Sequence, residues 1–228
     1  MSLLKALIND AVINKYITKN VFDEIQLSKE LNKTAVKSEY EVNPFTDAEK
    51  NIIIDTAEGQ VKNLIQFNFW TGLRTSEIIA LKWEDVNFDD EIILIKRAKV
   101  EGEIKTTKTK AGIRKILLLP KALEALINQR QFTGNDEFIF NNPNTNKPWH
   151  SSNKLADAWK KVIDKTAVDY RNPYQMRHTY ASTLLSNGEN IFWLATQLGH
   201  ENTEMIFKHY GKWIPQDAKN GYKFVGKY

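Results

Sequence analysis

Residues 92–119 read IILIKRAKVEGEIKTTKTKAGIRKILLL, and the architecture turns on this stretch. Two aliphatic, β-branched runs, Ile92–Ile95 and Ile113–Leu119, flank a third extended run at about Glu103–Thr107. Gly102 and Ala111-Gly112 supply the punctuation at which an extended chain reverses. The pattern predicts a small antiparallel meander of three strands whose second turn is loaded with lysine. Asn87 to Asp90, just upstream, is turn chemistry.

On both sides of the meander the apolar period is helical. Leu4, Leu7, Ile8 and Val12 mark a helix within 4–19, followed by a polar, Lys-rich linker from Ser28 to Asn43. Pro44-Phe45-Thr46 with Asp47 and Glu49 behind it is a helix start, the acids lying where the positive end of the dipole favours them. Val61, Leu64, Ile65 and Phe69 form a stripe that ends at Gly72, and a short helix with Thr75 as N-cap and Glu77 in its first turn follows. After Pro120 helices are expected at about 120–131, 151–166 (capped by Ser151 or Ser152), 174–186, 190–198 and 202–210. The class is therefore α+β, mainly α-helical, with one small three-stranded antiparallel sheet.

The 228 residues hold one sizeable domain, or a domain plus a fragment, and the balance of 42% hydrophobic to 26% charged residues is that of a folded chain. No cysteine occurs, which excludes disulfides and thiolate metal sites and fits a reducing compartment. The aliphatic runs, of which Ile116 to Leu119 is as long as any, are far too short to span a bilayer, and the first residues do not read as a signal peptide. A cytoplasmic protein with no membrane partner is expected. The net charge of +4 says little, but its distribution says more. Residues 44–95 carry ten acids against four bases, whereas residues 96–121 carry nine bases against two acids. That local basic stripe points to a polyanion.

Phosphate-loop, dinucleotide, zinc-protease and EF-hand motifs are all absent from the sequence, so no nucleotide cofactor or metal is expected. Four segments remain. In TGLRTSEIIALKW (71–83), Arg74 has Glu77 three residues on, a carboxylate able to hold a guanidinium rigid or simply to make a structural pair. In KTTKTKAGIR (105–114), the hairpin lysines can reach a phosphate, or merely keep a sheet edge solvated. In YQMRHTYAS (174–182), Tyr174 and Arg177 share a face that Ala181, Leu184 and Leu185 carry into the core, so Arg177 starts at a buried edge and needs an anion. In LGHENTEMIFKHYG (198–211), Gly199 permits a turn that presents His200, and Tyr210 closes the next helix.

Two arginines, a hairpin lysine, a histidine and a late tyrosine, in that order, resemble the tyrosine recombinase (phage integrase) family over roughly residues 44–213. The resemblance implies a DNA breaking-rejoining catalytic domain at 44–213. It implies that 1–27 is the end of a helical core-binding domain, 28–43 a linker, and 214–228 a tail that docks on a neighbouring protomer. The chain would then lack most of its DNA-clamping N-terminal half. By the same resemblance Arg74 and Arg177 bind the scissile phosphate and Lys108 is the general acid for the leaving 5′ oxygen, with Lys105 and Lys110 as lesser candidates. His200 matches the second histidine position, and Tyr210 the nucleophile that becomes a 3′-phosphotyrosine. Glu77 and His178 support the site, and Lys105, Lys110 and Arg114 bind the DNA backbone. Where the family most often has histidine this chain has Tyr174. A phenol, ordinarily near pKa 10, can donate a hydrogen bond but is a poor base at neutral pH, so Tyr174 is expected only to position the phosphate, leaving base work to His200 or water. The interval from His200 to Tyr210 is ten residues, one longer than is commonest in the family. His209 therefore needs consideration, though it cannot replace a phenol nucleophile.

The expected function is site-specific DNA recombination, with duplex DNA as substrate, self-association to a tetramer in the synaptic complex, and accessory DNA-bending proteins as candidate partners. No cofactor is implied, since the phosphotyrosine link conserves the bond energy for religation. Two alternatives are a DNA-binding relative that does not cut and a type IB topoisomerase-like enzyme that relaxes supercoils without a defined site.

Overall fold

The computed structural model describes residues 3–20, 41–106 and 112–215. Two units separate within the chain, Met1–Glu41 and Val42–Tyr228. In the first, helix α1 (Leu3–Ile13) takes in the four apolar positions from Leu4 to Val12, and Lys15, at φ +61°, turns the chain out of the helix.

The second unit opens with α2 (Asp47–Thr56). Its N-cap Thr46 takes a hydrogen bond from the Glu49 amide, while Glu49 accepts from the Thr46 amide, a reciprocal cap. Helix α3 (Gly59–Phe69) then packs along α5 (Pro120–Thr133). Between them lie α4 (Thr75–Ile78), a 3₁₀ turn at Trp83–Asp85 and the strands. Arg74, not Thr75, is the N-cap of α4, one residue earlier than the sequence suggested.

The sheet departs from a simple meander. Strand β2 (Ile92–Ile95) lies between β1 (Val86–Asn87) and β5 (Arg114–Leu117), all antiparallel, with Ile95 opposite Arg114 and Ile92 opposite Leu117. The expected middle strand pairs elsewhere: β4 (Glu103–Thr106) joins β3 (Arg97–Val100) in a separate hairpin. Its turn residues Glu101 and Gly102 both have positive φ, the conformation that matches strand twist in a two-residue hairpin loop. Strand β3 was missed because RAKV has no alternating apolar pattern: its inward residue is Lys99, its outward one Val100. A second unanticipated hairpin pairs β6 (Asn141–Asn142) with β7 (Lys147–Pro148), both too short and polar to signal a strand.

Helices α6 (Ser152–Ile163), α7 (Gln175–Ser186), α8 (Ile191–Leu198) and α9 (Glu204–Tyr210) complete the unit, with a 3₁₀ turn at Gly211–Trp213. Ser151 occupies the N-cap position of α6 without a side-chain cap bond, whereas Asn190 caps α8 through the Phe192 and Trp193 amides. One core cluster fills the space between the sheet, α3 and α5 around Phe67, Ile93, Ile116 and Phe140. A second gathers Phe45, Ile53, Phe69 and Trp159 beneath α2 and α6. A third joins α7, α8 and α9 through Tyr180, Leu194, Leu198, Ile206 and Tyr210. Helix α7 is the innermost element, with every residue from Gln175 to Ser182 buried. Among the described residues no helix is long and apolar enough to cross a membrane.

Candidate active site

The site grows from two tight turns that deliver backbone and side chains to the start of α7. The chain leaving α3 reverses at Gly72, φ +60°, where a Cβ would stand 2.5 Å from the Tyr180 ring, so only glycine fits. The chain leaving α8 reverses at Gly199, φ +70°, where a Cβ would meet the Arg114 guanidinium at 2.8 Å. The first turn places Arg74 at the head of α4, and the second places His200 opposite it.

Glu77 organises the basic side chains. Its Oε1 accepts from Arg74 Nη1 at 2.9 Å and from Arg114 Nη1 at 3.1 Å, and its Oε2 accepts from Arg114 Nη2 at 3.0 Å. The Arg74 amide donates to the same carboxylate at 3.0 Å. Burial alone would raise the Glu77 pKa. The hydrogen bond and charge of Arg114, then the charges of Arg74 and Arg177, outweigh it and hold the carboxyl below its ordinary value.

Arg177 is 1% exposed. Nη1 donates to the Gly72 carbonyl at 2.9 Å, and Nη2 donates to the Leu198 carbonyl at 2.7 Å and contacts His200 Nε2 at 3.0 Å. A guanidinium only donates, so Nε2 accepts and His200 carries its proton on Nδ1. Among the described residues Arg177 Nε and His200 Nδ1 are buried with no hydrogen-bond partner, and no carboxylate pairs with Arg177. Burial, followed by the charges of Arg177, Arg74, Arg114 and His209, pushes His200 down to about 3, which keeps the ring neutral. One carboxylate thus faces three guanidiniums, Arg74, Arg114 and Arg177, leaving an excess of positive charge in a region largely shut off from water. Such an arrangement calls for an anion.

The aromatic members close around the same point. The Tyr174 ring sits 5.9 Å from the Arg177 guanidinium carbon and 5.0 Å from the His178 ring. Tyr210, 2% exposed, has its hydroxyl 2.7 Å from His178 Nδ1 and lies close enough to Arg177 for their charges to interact. Burial, then the charges of Arg177 and His209, lowers His178 to about 4. His209, next to the phenol in sequence, has its ring 6.3 Å away.

The structure therefore brings Arg74, Glu77, Tyr174, Arg177, His178, His200 and Tyr210 together. Lys105 is exposed on β4 beside Glu103, 3.3 Å from its carboxylate. Lys108 and Lys110 lie outside the described residues. Arg114 corrects the expectation of a backbone-binding residue: it is 6% exposed and held by Glu77 and by the Gln197 carbonyl at 2.8 Å. The strand alternation carried this signal, since Arg114 shares its face with buried Ile116 while Lys115 and Leu117 point outward. The backbone carbonyls of Gly72 and Leu198, which fix Arg177, had no sequence signal. Among the described residues no group of three or more histidine, aspartate or glutamate side chains could hold a metal ion.

A helical unit with a small sheet, an arginine cluster of excess charge and a buried tyrosine beside it has the architecture of tyrosine recombinase catalytic domains. The chain belongs to the phage integrase family, whose model matches residues 38–214. It is 32% identical to prophage integrase IntR of Escherichia coli (strain K12), over 94% of this chain and 56% of that protein. It is 26% identical to a XerC-like tyrosine recombinase of Caldanaerobacter subterraneus, over 96% of this chain and 62% of the relative. The chain thus spans less than two thirds of these relatives. Among solved structures, the Tn1549 transposon integrase in complex with transposon right end DNA superposes with a TM-score of 0.71 at 23% identity, covering 98% of this chain and 77% of that one. A lambda integrase tetramer bound to a Holliday junction gives 0.62 at 17% identity, covering 88% and 57%. These two likenesses speak to the fold.

Proposed function

We propose that this chain breaks and rejoins DNA at specific sites through a covalent phosphotyrosine intermediate. Arg177 carries the reading: a buried guanidinium whose protein partners are all neutral, with two orphan donors in the cluster, is matched by the non-bridging oxygens of a phosphodiester. Arg74, tethered to Glu77 and with part of its side chain exposed, supplies the second arm of the clamp. Both are fixed before substrate arrives, so the developing charge meets preorganised donors. Tyr210 is the nucleophile, and the positive cluster favours loss of its proton. Tyr174 positions the phosphate, His200 donates to it from Nδ1, and Lys108 protonates the leaving 5′ oxygen. Lys105 and Lys110 hold neighbouring backbone phosphates, which makes binding fall steeply with salt.

The partners in this reading are duplex DNA, further copies of the chain in a tetrameric synaptic complex, and accessory DNA-bending proteins. Residues 1–27 would be the end of a core-binding domain joined by a 28–43 linker to the catalytic domain at 44–213. Residues 214–228 would dock on a neighbouring protomer, and the reaction would take place on DNA in the cytoplasm.

The test incubates the chain with a pool of nicked duplexes with randomised centres, captures adducts that survive detergent, and sequences them. Wild type is expected to give adducts on a common sequence, and Tyr210→Phe none. DNA retention without adduct would replace this reading with a binding module. Relaxation of supercoiled plasmid without a preferred sequence would replace it with a topoisomerase-like activity.

A further inference from the structure

We propose that His178 is the general base of the reaction, taking the proton of Tyr210 as the phenol attacks. The inference rests on the phosphotyrosine reading above and adds a residue to it. Arg177 and His178 are consecutive on α7, so one turn of backbone carries both the guanidinium aimed at the phosphate and the imidazole aimed at the nucleophile. Nδ1 lies 2.7 Å from the Tyr210 hydroxyl, within reach for direct proton transfer, and both groups are buried. No other imidazole is so placed. His200 Nε2 already accepts from Arg177, and His209 stands beside the phenol with its ring centre 6.3 Å away. Position 174, whose ring packs edge-on against His178, is a tyrosine and offers no basic nitrogen.

The step balances. Tyr210 Oη attacks phosphorus, and the P–O5′ bond breaks with its electron pair on the 5′ oxygen. The phenolic proton passes to His178 Nδ1, while the 5′ oxygen takes a proton from an ammonium, the part given above to Lys108. Religation runs the same transfers backward, the imidazolium returning its proton to the phenolate. In the free protein the charges that act on His178 include Arg177 on its own helix and His209 on α9, with Tyr174 and Tyr210 as neighbouring phenols. Burial, then the charges of Arg177 and His209, makes its ring a weak base near 4. A phosphate seated on Arg177 offsets the nearest of those charges and raises the basicity, so the base strengthens only when substrate is bound.

Two measurements decide it. In the full chain, long-range ¹H–¹⁵N spectra of the His178 ring should show the proton on Nε2, leaving Nδ1 as acceptor. A proton on Nδ1 would make His178 a donor to Tyr210 and overturn the proposal without any DNA. The second uses the duplex recovered from the pool and His178→Asn, whose amide oxygen can hold the hydroxyl near the Nδ1 position but cannot take its proton. Adduct formation should fall by roughly 100-fold or more. The loss should persist on the same duplex with sulfur in place of the bridging 5′ oxygen, because that leaving group needs no acid. Unchanged or faster cleavage by His178→Asn, or full recovery on the sulfur substrate, would overturn it. If wild type forms no adduct at all, the phosphotyrosine reading has failed instead, a result the ring spectra do not share.

Discussion

The molecule contains two acid–base clusters built on the same local plan. In each, a carboxylate caps a short helical turn by accepting from the amide three residues back, Glu77 from Arg74 and Asp85 from Lys82, and then grips an arginine from a strand. Glu77 takes Arg114 from β5, and Asp85 takes Arg97 from β3 at 2.6 Å. The totals differ. Around Asp85, Glu84 joins on the acidic side and Lys96 on the basic side, so two acids meet two bases. Around Glu77, a single carboxylate meets three guanidiniums and a neutral His200. A balanced cluster ties a strand to a turn, and an unbalanced one is arranged for an anion from outside; an orphan donor alone does not separate them, since Arg97 Nε is also buried without a partner among the described residues. Motif chemistry and structural chemistry use the same residues here, and the charge sum separates them.

Removing the strand arginine from each cluster is the strongest way to break the comparison. Arg114→Met leaves the buried Glu77 with only Arg74 in ion-pair contact, and loss of a buried partner costs about 3–5 kcal/mol. For a chain of this size that lowers Tm by roughly 6–20 °C. Arg97→Met still leaves Asp85 paired with Lys96 at 2.9 Å, and a cost of about 1–2 kcal/mol is expected. Calorimetry of the two variants checks the pair, and equal losses would remove the distinction. The next effect is on activity: Arg74→Gln removes a half-exposed guanidinium, and on the clamp role proposed for it adduct formation is expected to slow by about 10²–10³-fold. Its Tm should move by only a few degrees, whereas a loss of rate matched by a loss of fold would make Arg74 a structural residue.

Much of this contrast was legible in the sequence because it follows local rules. Arg74 with Glu77 three residues on, the glycine turns at Gly72 and Gly199, and the order of the arginines, His200 and Tyr210 all survive in the structure. What failed depends on contacts distant in sequence. The three runs of the meander were found, but Ile92–Ile95 pairs with Arg114–Leu117, and pairing register is decided by which faces are buried rather than by the runs themselves. The lysines around Arg114 suggest a basic surface that meets DNA, whereas its place in the strand alternation sets it inward. Helix α7 showed part of its character through Ala181 and Leu185. A helix buried on all sides has no single apolar face, so the depth of Thr179 and Ser182 was not readable from period alone.

The pH dependence of stability sharpens the comparison further, because both shifted imidazoles belong to the unbalanced cluster. An unfolded histidine takes its proton near pH 6.5, whereas folded His178 and His200 resist until about 4 and about 3. Between those values the unfolded chain binds more protons than the folded one. Stability is therefore complete above pH 6.5 and falls as the pH drops toward 4 and 3. Denaturant midpoints should be lower at pH 5 than at pH 7, and His178→Asn and His200→Asn should each flatten the slope. A stability that is flat over this range in wild type would mean that neither ring is held neutral by the cluster.

The smallest effect is the most direct probe of the excess charge. Sulfate presents tetrahedral oxygens like those of a phosphodiester, and an anion at about ten times its dissociation constant stabilises the folded state by about 1.4 kcal/mol. Sulfate also stabilises proteins generally by exclusion from their surface, so the informative quantity is the difference from Arg74→Gln, compared with chloride at equal ionic strength. Wild type should gain a few degrees more in Tm than the variant, and Arg97→Met should gain as much as wild type. The anion also eases protonation of the neighbouring imidazoles, and linkage makes the effect mutual: a lower pH must strengthen sulfate binding. The sulfate-dependent gain should accordingly grow from pH 7 to pH 5, while a gain that is constant across this range would place the anion away from His178 and His200.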